Sequence, residues 1–288
     1  MKARLLRLFL CALAVSYAGG AWAADGRLWA TGGATSADGV AGGGITPWAV
    51  IGGYEEEGQW GSNVFATRVW LPDYRLDVAG ASVAYGNRVE FSYARQRFDL
   101  GTLVHTLNLP DGSLSQDVLG AKLKLFGDLL YGDTPQVSLG LEYKHQRDFL
   151  IPSLVGAQRD HDVEGYLAAS RVILGGFWGY NLLLNGDVRY SRANEMGLLG
   201  FGGDRRGRRS WLKEGSAAVL LNPHWAVGVE YKEKPDNLAF AGESDWADVF
   251  VGWFPTQRVS VVLAYARLGE IATLANQNGT YLSVTGSF

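Results

Sequence analysis

The sequence is poor in cysteine and in long apolar runs. Its one cysteine, Cys11, excludes an internal disulfide, so an exported form of this chain must be held together by its backbone hydrogen bonds. After residue 23 no stretch reaches about 18 apolar residues, the length that a membrane-spanning helix needs. These absences leave a chain without disulfides and without a transmembrane helix.

Positive charge is also scarce. The chain has 26 lysines and arginines against 29 aspartates and glutamates. Three of the basic residues lie in the first seven positions, so residues 24–288 carry 23 basic (26 − 3) and 29 acidic residues. Because neutralising phosphates takes clustered positive charge, nucleic acid is excluded as the expected partner.

The first 23 residues have the pattern of a secretory signal peptide. A basic start is followed by an apolar centre from Leu8 to Ala18 and by a small-x-small site that ends at Ala23. The apolar centre is too short to span a membrane, and large residues before Cys11 disfavour a lipid-anchored form. We expect cleavage after Ala23 and one mature domain over residues 24–288.

Glycine and aromatic residues are abundant, with 39 Gly, 10 Trp and 13 Tyr. The chain alternates between apolar and polar residues with a period of two. Residues 136–144 show this pattern clearly: Leu139, Leu141 and Tyr143 alternate with polar or small residues, and 225–232 repeats it. Such alternation predicts strands with one apolar and one polar face.

We expect an all-β, transmembrane, antiparallel up-and-down barrel of 12–14 strands, with 14 the best count. The candidate strands are 27–32, 45–54, 63–71, 75–85, 88–98, 116–127, 135–146, 162–174, 180–192, 210–222, 224–234, 244–255, 258–269 and 279–288. Short connections alternate with long ones near 99–115, 147–161, 193–209, 235–243 and 270–278. Short periplasmic turns opposite long external loops are typical of outer-membrane barrels.

Five alternate strands each lead to a tyrosine on the apolar face. The set is Tyr93, Tyr143, Tyr190, Tyr231 and Tyr265. They predict an aromatic girdle at one membrane surface, although tyrosine is also an ordinary strand residue.

The last strand ends the chain on Phe288, with Leu282 and Val284 on the same face. This pattern resembles the C-terminal signal that outer-membrane barrels present to the barrel-assembly machinery, although Gly286 departs from it. A closed barrel pairs every backbone group, which lipid requires. We therefore expect a bacterial outer-membrane location.

Four stretches carry a family resemblance: GGITPWAVI at 43–51, FSYARQRF at 91–98, LLGFGGD at 198–204 and EYKEKPDNL at 230–238. They resemble an uncharacterised family of proteobacterial proteins, a domain of unknown function. The resemblance implies an outer-membrane, barrel-like fold and brings no activity or catalytic residues.

Charged residues on the polar faces are predicted to line the lumen. They are Arg75, Asp77, Glu90, Lys122, Lys124, Glu142, Lys144, Arg171, Asp187, Arg189, Glu230 and Lys232. Charge on the lipid face costs about 2–4 kcal/mol near the midplane for Arg or Lys, which favours the lumen. Two readings stay open: a charged channel that selects solutes, and salt-bridged ladders that stabilise a closed barrel.

The loop 201–210 concentrates Arg205, Arg206, Arg208 and Arg209. Arginine suits recognition of phosphate or carboxylate, so this loop is an anion-binding candidate. It could contact lipopolysaccharide phosphates, fold inward as a constriction, or remain a solvated basic loop.

Enzyme signals are poor. The histidines His105, His145, His161 and His224 are scattered and lack a neighbouring nucleophile. The run 160–162, Asp-His-Asp, has metal-ligand chemistry, but a solvated turn explains it better. We expect no catalytic residues, no metal and no cofactor.

The expected function is a passive channel or small-solute transporter with a mixed-charge lumen. The alternative is a structural or surface-interaction barrel with a plugged lumen that binds lipopolysaccharide or a partner, and the third hypothesis is an envelope-lipid enzyme. Outer-membrane lipid is the expected surrounding. For the segment 32–44 three alternatives stay open: a strand, a lumen plug and a flexible periplasmic arm.

Overall fold

The computed structural model describes residues 32, 34–106, 109 and 111–288. The predicted signal peptide and, apart from Gly32, the first candidate strand at 27–32 lie outside these residues. Twelve antiparallel strands form a closed ring in which each strand pairs with its sequence neighbours and the last pairs with the first. This confirms the all-β barrel within the predicted range, two strands below the best count.

The strands are β1 (Trp60–Trp70), β2 (Arg75–Tyr85), β3 (Val89–Asp99), β4 (Ser113–Phe126), β5 (Gln136–Gln146), β6 (His161–Phe177), β7 (Tyr180–Ser191), β8 (Ser210–Asn222), β9 (Trp225–Lys232), β10 (Trp246–Thr256), β11 (Val259–Arg267) and β12 (Asn278–Ser287). The candidate strand at 45–54 is wrong, because those residues lie inside the ring and pair with no strand.

The connections are sorted by length between the two ends of the barrel. Tight turns at 86–88, 178–179, 223–224 and 257–258 lie at one end, together with the longer connection 127–135. The other end carries the loops 100–112, 147–160, 192–209, 233–245 and 268–277, and the short connection 71–74. We call these the turn end and the loop end.

Within the residues that the structure describes, the helices lie in the loops. The helices are α1 (Thr102–Thr106) and α2 (Leu150–Leu154), and a 3₁₀ turn spans Asn194–Gly197. Within the described residues, no helix has the length and hydropathy needed to span a membrane.

The outer face of the barrel is apolar. In β11, Leu263 is 51% exposed whereas its neighbours Val262 and Ala264 are buried. Leu263 lies opposite Leu282 and Val251, so the exposed side chains form a continuous surface. A patch of this kind is unfavourable in water and is what lipid covers in a transmembrane barrel.

Aromatic pairs mark the turn end of this apolar surface. Trp225 and Trp253 stack with ring centroids 5.9 Å apart, and Trp60 lies 4.8 Å from Tyr85. Indole and phenol rings favour the level at which lipid tails meet the headgroups. The apolar belt therefore ends near these rings.

Polar side chains point inward, and the lumen they line is not empty. Residues 34–55 fill it, and every residue from 35 to 55 is buried. We call this segment the plug. It runs into β1 through residues 56–59, so it enters the barrel from the turn end.

A charge placed on the apolar belt is expected to destabilise the barrel. Leu263→Arg should lower the free energy of unfolding in lipid vesicles by about 2–4 kcal/mol, because the guanidinium would lie in hydrocarbon. Reversible urea unfolding in vesicles measures this. The control is Leu150→Arg in α2, an exposed loop position, which should change the stability little; equal effects of both would contradict a lipid-facing belt.

Candidate functional site in the barrel lumen

The plug is a compact turn structure with little ladder of its own. Its isolated bridges join Thr35 to Ala41 and Gly42 to Pro47. Many of its backbone N–H and C=O groups therefore lack the partners that a strand would give them. In a buried segment such groups must be satisfied by side chains, and the barrel wall supplies these.

The first anchor of the plug is Asp38. Its carboxylate lies 2.8 Å from Lys144 Nζ, 3.3 Å from Lys232 Nζ and 3.7 Å from the guanidinium of Arg189. Burial alone would raise the pKa of Asp38, but the three cations outweigh it and hold that pKa well below its usual range. Asp38 is thus ionised and ties three strands to one plug residue.

The second anchor is Glu230 on β9. Its Oε2 accepts hydrogen bonds from the N–H groups of Gly44 and Ile45, at 2.5 and 2.8 Å. Its Oε1 accepts from the Thr46 hydroxyl at 2.6 Å. A Cβ on Gly43 would lie 1.9 Å from Oε1, so any larger residue there would push the Glu230 carboxylate away from the plug.

The third anchor is the pair Glu90 and Lys122. Glu90 accepts from the N–H groups of Ala41 and Gly52, at 3.0 and 2.7 Å. Lys122 Nζ donates to the carbonyls of Ala41 and Val50, at 2.7 and 3.0 Å, and lies 3.7 Å from Glu90. Glu90 therefore accepts from plug N–H groups and Lys122 donates to plug carbonyls, near Ala41 and again near residues 50–52.

Neutral side chains hold the plug near Ala49. Gln136 and Ser138 donate to the Ala49 carbonyl at 2.6 and 2.5 Å, and the Ala49 N–H donates to Ser170 Oγ at 2.9 Å. Asn185 donates to the Pro47 carbonyl at 3.1 Å. The plug is thus bound on several sides by polar groups.

Arg189 organises the wall beside the plug. Its Nη1 lies 2.9 Å from Glu142 and 3.1 Å from Glu164, and its Nε lies 2.6 Å from Glu214. The Tyr166 ring covers the guanidinium at 5.1 Å. Lys144 lies 3.4 Å from Glu142 and Glu164, and Lys232 lies 3.6 Å from Glu214, so the three carboxylates are shared by three cations in one ion-pair network.

The loop 193–203 closes the loop end by folding into the lumen. Met196, Leu198 and Phe201 are buried there. Gln116 on β4 donates to the Met196 carbonyl at 3.1 Å, and Gln146 on β5 donates to the Leu198 carbonyl at 2.9 Å. We call this segment the inward loop.

A buried charge cluster fastens the inward loop to the neighbouring loop 233–245. Lys234 bonds to Glu195 and lies 3.1 Å from Glu243, and the Glu195 N–H lies 3.2 Å from both Glu243 oxygens. Burial, reinforced by Glu195, raises the pKa of Glu243 to about 8 although Lys234 opposes this. Burial also raises the pKa of Glu195.

The structure brings most of the predicted lumen residues together. Those that point inward are Glu90, Lys122, Glu142, Lys144, Asp187, Arg189, Glu230 and Lys232. Lys124 lies at the turn end of the lumen, 3.9 Å from Asp128. Six of the eight inward residues bond or pair with the plug, a role that the alternation alone did not indicate.

Three predicted lumen residues are placed wrongly. Arg75 and Asp77 alternate with the buried Leu76 and Val78, so they lie on the outer face. They pair with each other at 3.5 Å near the loop end of β2. Arg171 also lies outside and donates to the Gly132 carbonyl near the turn end. Charges at the rims avoid the hydrocarbon, so the cost that favours the lumen does not apply there.

The remaining predicted residues lie on the surface. All five girdle tyrosines point outward and are at least 40% exposed. Leu282 and Val284 lie half-buried on the outer face of β12, and Phe288 is exposed. Their roles as a girdle and an assembly signal stay predictions. The Arg205–Arg209 loop lies at the outer rim and does not constrict the lumen.

Of the three histidines whose side chains the structure describes, two lie beside one carboxylate and the third lies at the other end of the barrel. His161 Nδ1 lies 2.7 Å from Asp160 and His145 lies 3.9 Å from the same carboxylate, at the loop end, whereas His224 is in a turn at the opposite end. Among the described residues, no group of His, Cys, Asp and Glu has a metal-binding arrangement.

The sequence reasoning missed Asp38, Glu164 and Glu214. Glu164 and Glu214 follow the alternation of β6 and β8, so a stricter reading of those strands would have found them. Asp38 lies in a glycine-rich segment without periodicity, and nothing in its neighbourhood signals a partner.

A comparison with known protein families shows which family this chain belongs to. Residues 31–285 match the family described as "Protein of unknown function (DUF3034)". The chain belongs to this family. This confirms the resemblance read from the four stretches above. A search of curated proteins finds no match.

Solved structures with a similar fold are barrels. The "KdgM porin" has a TM-score of 0.50 at 9% identity, covering 78% of this chain and 99% of that one. The same porin "in complex with disordered oligogalacturonate" gives 0.50 at 10% identity, with 78% and 99% covered. Omp33 of Acinetobacter baumannii gives 0.47 at 10% identity, with 80% and 98% covered. At sequence identities this low, the similarity shows a shared fold and nothing about function.

A rise in pH is expected to loosen the inward loop. Because the folded-state pKa of Glu243 is about 8, against about 4.5 for a free glutamate, the folded loop keeps a proton that the unfolded loop releases. The proton on Glu243 therefore stabilises the folded loop fully below about pH 4.5. This stabilisation decreases as the pH rises toward about 8, and it is absent above that pH. Amide exchange of residues 194–203, corrected for intrinsic rates, measures this.

Glu195, Lys234, Glu270 and Tyr74 are the other titratable groups that interact with this cluster. Glu243→Gln removes the titrating carboxyl and keeps its shape, so its loop should show no fall in protection over the same range. A wild-type loop whose corrected protection is constant between about pH 5 and pH 9 contradicts the assignment.

Proposed function

We propose that this protein is an outer-membrane channel for small solutes that its own plug and inward loop hold closed. The observation that carries the proposal is the chemistry of the contact between plug and wall. Charged and hydrogen-bonding side chains make the polar contacts of Asp38, of Ala41 and of the turn at Gly44–Thr46, while Ala41 and Ile45 also pack in the hydrophobic cluster of the lumen. Water can replace such partners when the plug leaves.

The proposed location rests on the apolar belt and the predicted signal peptide. Lipid covers exposed residues such as Leu263, and the closed ring leaves no unpaired edge. An export signal at 1–23 would carry the chain across the inner membrane of a bacterium, from where the barrel-assembly machinery could insert it into the outer membrane. The loop end would then face outward, since the long loops of such barrels are external.

The open lumen would favour cations. Acidic side chains on the wall outnumber basic ones: Glu90, Glu142, Glu164, Asp187, Glu214, Glu230 and Asp248 face Lys122, Lys124, Lys144, Arg189 and Lys232. A pore lined by a surplus of carboxylates attracts cations and repels anions. The plug's own Asp38 leaves with it, and the surplus on the wall remains.

A static barrel is the competing function. The depth of the Asp38 cluster favours it, because breaking a buried ion pair costs about 3–5 kcal/mol. In that case the closed lumen would serve only stability, and the long loops would carry any function. An enzymatic role has no observation in its favour among the described residues.

Locking the plug tests whether it opens. Ala49→Cys with Ser170→Cys joins the plug to β6, because the Ala49 nitrogen already lies 2.9 Å from Ser170 Oγ. In planar bilayers we expect infrequent, cation-selective current steps from the wild-type protein. The oxidised double variant should show none, and reduction should restore them.

Two further variants sharpen the test. Asp38→Asn removes the charge that three cations share, so it should raise the open probability about tenfold or more. Asp133→Asn, an exposed residue of the turn end, should leave it unchanged. If neither the wild type nor Asp38→Asn conducts, the plug is static and the channel proposal is wrong.

A further inference from the structure

A groove opens at the outer rim, where β7 ends and β8 begins. It has a volume of about 410 Å³ and lies between residues 206–212 and 233–236. Arg206 and Arg208 line it and are exposed, and Tyr190 and Trp211 line it from the outer face of the barrel. The groove therefore adjoins the membrane surface and lies outside the lumen.

Two arginines in the groove are not neutralised by any acidic residue that the structure describes. Arg205, at its edge, bonds to Asp236, and this pair is neutral. Arg206 and Arg208, by contrast, have no ion-pair partner among the residues that the structure describes. They are two guanidinium groups two residues apart, directed at one concave surface.

The other charged groups at the groove are accounted for within the protein. Arg209 bonds to Asp162, which Arg192 also contacts at 2.6 Å. Lys234 is held by the two glutamates of the buried cluster. Glu233 is the one acidic residue left, and its Oε2 accepts the Lys213 N–H at 2.9 Å. The groove thus carries a net positive charge.

Two further donors border the groove without a partner. Arg209 Nε and Ser210 Oγ are buried and make no hydrogen bond to any described residue. Buried donors are nearly always paired. A ligand with several acceptor oxygens, such as a phosphate, would match the forked geometry of Arg206 and Arg208, and it would pair both buried donors if their side chains turned toward the groove.

The membrane side of the groove is aromatic and apolar. Tyr190 and Trp211 lie side by side with ring centroids 4.7 Å apart, and Trp211 is 70% exposed. The Arg209 guanidinium lies 5.8 Å from the Tyr190 ring centroid. Val188 continues the apolar face toward the membrane centre, next to Lys213, whose side chain also points outward. Cationic groups thus lie directly above an apolar face.

We propose that this groove binds the phosphate group of a membrane lipid of the outer leaflet. Arg206 and Arg208 bind the phosphate oxygens, Arg209 and Ser210 turn toward the phosphate to add hydrogen bonds, and the acyl chains lie against Trp211, Tyr190 and Val188. Free inorganic phosphate offers the same oxygens, but the exposed rings of Trp211 and Tyr190 below the arginines favour a lipid. This proposal is independent of whether the lumen ever opens.

Native mass spectrometry of the detergent-solubilised full chain tests the site. The probe is lipid A carrying its phosphates, compared with enzymatically dephosphorylated lipid A and with inorganic phosphate. We expect phosphorylated lipid A to bind at least about tenfold more tightly than the dephosphorylated form. The double variant Arg206→Ser/Arg208→Ser should lose that preference, and its exposed loop positions leave the barrel intact.

The matched control removes two exposed arginines elsewhere, Arg88→Ser/Arg97→Ser, and should keep the preference. If the groove variant binds phosphorylated lipid A as the wild type does, the site is wrong. If inorganic phosphate binds as tightly as phosphorylated lipid A, the lipid is the wrong ligand. Both results are independent of conductance, so failure here is distinct from failure of the channel proposal.

Discussion

The structure depends on pairing backbone polar groups in places that strands do not reach. The wall meets this need by closing on itself, since β1 pairs with β12 and no edge remains. The plug has little ladder and meets the same need through side chains of the wall. Three wall residues meet this need, because each bonds to two plug backbone groups: Glu90, Lys122 and Glu230.

This requirement explains why the lumen is charged and yet filled. A wall that solvates a peptide segment must offer donors and acceptors of both kinds, and ionised groups make the stronger hydrogen bonds. On the plug side, the Asp38 carboxylate pairs with three cations of the wall. The same groups that hold the segment would face water if it left, so in the proposed channel closure and conduction would use one set of residues.

The strands could be predicted from sequence because their alternation is local. In β5 and β9 the apolar face is uninterrupted, and the positions of Glu142, Lys144 and Glu230 follow from parity alone. At the rims the assignment of charged residues to the lumen was wrong. Arg75 and Arg171 lie on the outer face, because a charge at the rim does not enter the hydrocarbon. The plug could not be assigned, because its conformation is set by wall residues far away in sequence, such as Glu230 for Gly44.

Amide hydrogen exchange of the plug tests the central claim most directly. With the protein in lipid nanodiscs, the N–H groups of Ala41, Gly44, Ile45, Ala49 and Gly52 should exchange as slowly as those of the neighbouring strands, because wall side chains accept their hydrogen bonds. Exchange as fast as that of the exposed connection 127–135 would show that the plug is not held in the lumen, and would contradict the account.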